Sequence, residues 1–155
     1  MASTATNKQP MLVDHVLHYV INLDTSINNG LDITGANTAQ LLVDSTTADG
    51  ALLEDIYSYA RGTTAYDINL YMSTANDYLR PNQAVFVGRF KSATTAGERT
   101  SWENMPKTLV PAPQVGDEPT NRAFYIPRGY ALWAARDSTA NVTDAPLLGC
   151  QGGWY

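Results

Sequence analysis

The chain of 155 residues holds one cysteine, Cys150. A single thiol forms no internal disulfide and builds no Cys-based zinc cage. Its expected role is that of a small buried hydrophobe; a reactive thiol needs a nearby base, and the adjoining residues supply none. Cations are scarce as well. Three lysines (Lys8, Lys91 and Lys107) and seven singly scattered arginines stand against fifteen acids, giving a net charge of −5 and an isoelectric point near 4.8. That balance argues against a nucleic-acid partner, which calls for clustered Lys and Arg to neutralise phosphates. No apolar run reaches about 18 residues, so no helical membrane span is expected. Met1–Pro10 has no apolar stretch of the signal-peptide kind, and its Ser/Thr content without arginine is only faintly transit-like.

Histidine is nearly absent too: His15 and His18 are the only two. On a strand, positions three apart fall on opposite faces and cannot share a metal. On a helix they could, but no third nitrogen or sulfur ligand is evident. Any Ser-His-Asp triad would rest on these two, and no Gly-x-Ser-x-Gly elbow occurs. Asp44, Asp49 and Glu54 bracket a loop containing Gly50 and superficially suggest a calcium loop. Thr46 and Ala48 stand where that pattern needs acids, so turn roles are expected. Eleven aspartates and four glutamates offer pairs for glycoside cleavage, but sequence spacing alone pairs none of them. Gly149, Gly152 and Gly153 fall in a terminal strand, not in a phosphate-cradling loop before a helix. Asn141-Val142-Thr143 matches a glycosylation pattern that chance produces often. No catalytic, cofactor-binding or metal residue is assigned, and an enzyme is not expected.

What the chain does contain is small polar and β-branched residues. Thr, Asn and Ser take the place of Lys and Glu, and these favour strands and tight turns over helices. At this length about two-thirds of the chain's surface is buried on folding, so one domain builds its own core. The expected organisation is an N-terminal arm over 1–12, then one all-β domain over 13–155 with a long loop at about 91–120. The arm either frays or orders on a partner.

The periodicity is short-range throughout. Val16–Leu23 sets Leu17, Tyr19, Ile21 and Leu23 on one face and His18 and Asn22 on the other with Val16 and Val20. That predicts a strand, with a helix capped by Asp14 as the competing reading. Asn28-Asn29-Gly30 and Asp49-Gly50 are turn signals flanking a short strand at Thr38–Val43. Leu52–Ala60 alternates loosely, with Leu53, Tyr57 and Tyr59 on one side. Tyr66–Met72 alternates cleanly: Tyr66, Ile68, Leu70 and Met72 point one way, Asp67, Asn69 and Tyr71 the other. A strand with one buried and one open face is expected there. Gly88 inside Gln83–Phe90 predicts a bulge or a close approach. Lys91–Thr120 carries four prolines and is read as loop, with at most an edge strand near Thr108–Val110. Ala123–Ile126, a Pro127-Arg128-Gly129 turn, Tyr130–Arg136 and Leu147–Tyr155 complete the set. About eight short strands with frequent turns predict an antiparallel sandwich of jelly-roll or Greek-key type.

Nine tyrosines and three tryptophans stand out. Tyr57, Tyr59, Tyr66, Tyr71 and Tyr78 crowd one third of the chain. Half of them serve a core in this reading. The rest, interleaved with Asn, Ser and Thr, match the make-up of contact surfaces, where Tyr adds area at low entropic cost. A binding or assembly role is favoured over catalysis.

Three stretches carry a family resemblance: Ala65–Gly88 (AYDINLYMSTANDYLRPNQAVFVG), Phe124–Arg136 (FYIPRGYALWAAR) and Val142–Tyr155 (VTDAPLLGCQGGWY). Their order resembles small β-sandwich head decoration (cement) proteins of tailed bacteriophages. The resemblance implies a non-enzymatic capsid protein on the virion surface, with the major capsid protein lattice as partner and a homo-oligomer on the particle. It names no catalytic residue. Related sandwiches occur in neck, tail and fibre proteins, so another virion role stays open. So does a carbohydrate- or receptor-binding module, in which an exposed Trp102 and the tyrosines would stack on sugar rings.

Overall fold

A computed structural model describes residues 15–23, 39–77, 83–103, 105, 123–137 and 143–154. They form nine strands and no α-helix: β1 (His15–Asn22), β2 (Gln40–Asp44), β3 (Gly50–Tyr59), β4 (Asp67–Ser73), β5 (Ala84–Lys91), β6 (Arg99–Ser101), β7 (Phe124–Pro127), β8 (Ala131–Arg136) and β9 (Leu147–Trp154). The expected arm, the Asn28–Gly30 turn, Tyr78 and Thr108–Val110 lie outside the described residues. All pairings are antiparallel. The first sheet runs β1-β9-β3-β6, with β7 also on β3; the second runs β2-β8-β4-β5. The two pack face to face as an all-β sandwich.

Between the sheets lie Leu17, Leu53, Ile56, Leu148 and Cys150 from one side and Ile68, Leu70, Phe90, Leu132 and Ala134 from the other. Alternation along each strand delivers these residues inward. The strand expected at Val16–Leu23 is β1, His15–Asn22, and Leu17 within it and Leu23 just after it are buried. Tyr19 differs: it pairs with Cys150 at the rim of an outermost strand and stays half exposed.

Bulges explain where the simple alternation fails. Between Leu53 and Asp55 the register of β3 against β9 shifts, so Glu54 is an extra residue. The shift reverses the phase of the strand. Leu53 and Ile56 both reach the core, while Tyr57 and Tyr59 turn to the opposite, outer face. The expectation that Leu53 shares a side with these tyrosines is therefore corrected. A second bulge, at Leu42, sends both Leu42 and Val43 into the core. A third lies beside Gly88 in β5, as the glycine predicts. The Trp102 indole occupies the space a Cβ at Gly88 would need, and it stacks on Phe90 at 5.9 Å.

β4 alternates as read, but neither of its faces is open. Asn69 and Tyr71 are as buried as Ile68 and Leu70. On the outer side of the second sheet, Tyr71, Ala131, Trp133 and Ala135 form their own apolar cluster. The indole of Trp133 donates to the Ala75 carbonyl at 2.9 Å. Asn69 meets its polar need by accepting from Arg89 Nε at 2.6 Å. Arg136, fully buried at the end of β8, donates from Nε to the Leu23 carbonyl at 2.5 Å and so ties the second sheet to the end of β1.

Among the described residues three glycines, Gly50, Gly97 and Gly129, take up left-handed backbone. Gly50 (φ +133°) starts β3 after Asp49, and Gly129 (φ +84°) closes the Pro127-Arg128-Gly129 turn, where an L side chain would be strained. The stretch read as loop, with at most an edge strand near Thr108–Val110, contains β6 instead at Arg99–Ser101, which pairs with Tyr57–Tyr59.

Candidate interaction surface

The outer face of the first sheet is assembled row by row from its register. His18, Gln151 and Asp55 share one row. Val20, Gly149, Tyr57 and Ser101 share the next, and Asn22, Leu147, Tyr59 and Arg99 the one beyond. Gly149 is essential to this arrangement. Its missing side chain leaves a floor on which the Tyr57 ring lies, sinking that ring until it is buried although it faces away from the core.

Tyr57 is the hub. A hydrogen bond of 2.5 Å joins its hydroxyl to His18 Nε2. The Arg99 guanidinium stacks 4.0 Å above its ring centroid, and Tyr59 meets it edge-on at 5.6 Å. Arg99 is in turn ion-paired to Asp55, whose Oδ2 also accepts from Ser101 Oγ at 3.0 Å. Burial raises the Tyr57 pKa, and the positive charge of Arg99 only partly offsets it, so the phenol stays protonated and acts as a hydrogen-bonding group. Burial tends to lower the Arg99 pKa, but the Asp55 hydrogen bond and charge outweigh it and hold the guanidinium charged.

Beside this fixed polar-aromatic group lies open apolar surface. Val16 is 83% exposed and Val20 51% on the same face of β1. The face therefore offers pre-packed aromatic and hydrogen-bonding groups flanked by uncovered aliphatic area, a combination suited to holding another macromolecule.

The other residues singled out from sequence are placed as follows. His15 and His18 sit three apart on a strand, on its two faces. Among the described residues no three His, Cys, Asp or Glu side chains gather closely enough to hold a metal. Asp44, Asp49 and Glu54 are not brought together. Asp44 caps its own turn, accepting from Thr46 N at 2.9 Å, from Thr46 Oγ1 at 2.5 Å and from Asn76 Nδ2 at 3.0 Å. Asp49 pairs with Arg128 at 3.4 Å, and Glu54 is the exposed bulge residue of β3. Cys150 lies in the core, where burial pushes its thiol up to about 12. Trp102 overturns an expectation: it is only 5% exposed and packed on Gly88 and Phe90, so it cannot stack on a sugar. Of the tyrosines, Tyr57, Tyr66 and Tyr71 are buried and Tyr59 lies at the surface. Arg99 and Asp55 escaped sequence reading. The one signal for Arg99 was the three-residue alternation Arg99-Thr100-Ser101 within a stretch dominated by proline.

No known protein family, no curated protein and no solved structure matches the chain.

Proposed function

We propose that the chain is a non-enzymatic virion structural protein that decorates the assembled head of a tailed phage. In this reading the outer face of the first sheet docks on the capsid lattice. The single observation that carries it is the juxtaposition of exposed Val16 and Val20 with the pre-packed His18–Tyr57–Arg99 group. Side chains already held in place lose little freedom on binding, so even a modest area yields useful affinity. A lattice presents the same site many times, and neighbouring copies then reinforce one another.

Two further features support the reading. With β7 set aside, eight strands remain. Their order, first, last, third and sixth over second, seventh, fourth and fifth, supports reading the sandwich as a double Greek-key jelly roll. That architecture serves capsid and lectin domains alike, so the surface has to discriminate between them. The stretches that resemble cement proteins also supply β4, β5, β7, β8 and β9. The buried Trp102 weighs against the sugar-binding alternative.

Co-sedimentation with assembled, expanded capsids tests the proposal. The expected result is binding that saturates at a stoichiometry set by capsid symmetry. Localisation to the tail or to a single vertex, or glycan binding by the isolated protein, would overturn it.

A further inference from the structure

An antiparallel sheet leaves unpaired N–H and C=O groups along its outermost strands, and proteins protect such edges with charge, proline, bulges or brevity. Four of the five edge strands among the described residues carry such protection. β2 has five residues, is bulged at Leu42 and ends on Asp44. β5 is bulged beside Gly88 and carries Arg89 and Lys91. β6 is three residues long and carries Arg99. β7 has four residues and ends on Pro127.

β1 has none of these. It is eight residues long, His-Val-Leu-His-Tyr-Val-Ile-Asn, without proline or formal charge, and it pairs with β9 over all eight positions without a bulge. Among the described residues no strand pairs with its other edge. His15, Val16, His18, Tyr19 and Val20 are all exposed there.

We infer that β1 is a homotypic pairing edge: two copies of the chain join β1 to β1, antiparallel, extending the first sheet across a two-fold axis. The symmetry of the strand selects the second copy as occupant, because exposed Val16 and Val20 flank His18 at equal spacing and the edge is complementary to itself. Each copy carries −5, and β1 is an edge along which two acidic copies can meet with no carboxylate facing another. An antiparallel strand is also self-complementary about a two-fold, as an isologous dimer demands. The register follows from the faces. Both outer faces must lie on the same side of the joined sheet, so even-numbered residues pair with even-numbered residues. Placing His18 opposite His18 sets Val16 against Val20 of the second copy on both sides of the axis. That register converts the two exposed valines of β1 into cross-strand β-branched pairs.

An interface of one strand pair falls at the low end of specific contacts, below about 1,200 Å². A weak, reversible dimer is expected, to be sought at roughly 10–100 µM. The inference does not depend on the decoration reading, because it concerns the free protein.

Sedimentation velocity on the full chain across that concentration range tests it. The expected result is monomer–dimer exchange, with Val20→Lys raising Kd at least about tenfold, as a charge at a centre meant for valine should. The thermal midpoint should stay close to that of the parent, since Val20 is exposed. Val85→Lys, also at an exposed valine but on β5, should leave Kd unchanged. Val16→Cys/Val20→Cys should form a disulfide-linked dimer under mild oxidation, reporting the register. A monomer throughout, or a dimer indifferent to Val20→Lys, would overturn the inference. So would a dimer abolished by deleting Met1–Pro10 yet untouched by Val20→Lys, which would assign association to the terminal segment.

Discussion

The Tyr57 ring lies on Gly149, on the face of the first sheet turned away from the core, so a residue with no side chain sets the depth of an aromatic one. A Cβ at position 149 would overlap the ring. Gly149→Ala should therefore lift Tyr57, break its bond to His18 and part it from Arg99, at a cost of about 1–3 kcal/mol. Urea unfolding measures this. In a Tyr57→Ala background the same substitution should cost much less, because the overlap is gone. Equal costs in both backgrounds would show that Gly149 matters for some other reason.

A second prediction concerns adjacent residues of β4. Leu70→Ala should cost about 2–5 kcal/mol through the cavity it leaves in the core. Asn69→Ala should cost about 1–3 kcal/mol, well above a surface polar change, because it empties part of a fully buried site and removes the bond from Arg89 Nε that satisfied Asn69 there. Chemical denaturation of both variants measures these costs. An Asn69→Ala cost near zero would contradict the burial of the outer side of the second sheet.

These two sites mark how far the sequence could be read. The strand at Tyr66–Met72 and the inward set Ile68, Leu70 and Met72 follow from period-2 alternation alone. That Asn69 and Tyr71 are buried as well does not, because alternation reports which residues share a face and says nothing of whether a face is covered. Gly88 announced a close approach, but its partner Trp102 is a non-local contact across the fold. The outer-face group was illegible for a related reason. The Glu54 bulge reverses the phase of β3, and one inserted residue flips every side chain after it. With Leu53, Tyr57 and Tyr59 read as one side, nothing pointed to Tyr57 meeting His18, Gly149 and Arg99 from three other strands.

Cys150 should be inert in the folded protein. Burial holds the thiol near 12, far above neutral pH, so almost no thiolate forms, and the core excludes reagents. Ellman's reagent should modify it only at the rate of unfolding, and fully in denaturant. Rapid labelling under native conditions would place Cys150 outside the core.

Asp44 should contribute to acid sensitivity. Burial tends to raise its pKa, but the hydrogen bonds from Thr46 and Asn76 outweigh that and hold it below 3.8. A carboxyl depressed in the folded state adds stability that is fully present above its unfolded value near 3.8. That stability is lost as pH falls below 3.8 and through the lower folded value. Asp44→Asn should therefore lower the thermal midpoint at pH 7 and flatten its fall below about pH 4. Parallel curves for the two proteins between pH 5 and pH 2 would remove Asp44 from the account.

The last prediction separates the docking face from the fold. Tyr59 is at the surface and meets Tyr57 only by its edge, so Tyr59→Ala should leave the thermal midpoint within a few degrees, about 1 kcal/mol for a domain of this size. If the outer face of the first sheet holds the capsid, the same change should weaken particle binding about tenfold or more, as loss of an aromatic anchor does. Val85→Ser, at the edge of the second sheet, should change neither quantity. Binding should persist in moderate salt, because apolar and hydrogen-bonded contacts are screened far less than exposed ion pairs. Particles lacking the protein should still assemble, since a cement acts on a closed shell, but should release their DNA at a lower temperature. Binding by Tyr59→Ala at parental strength, with Val85→Ser defective, would move the docking face to the second sheet.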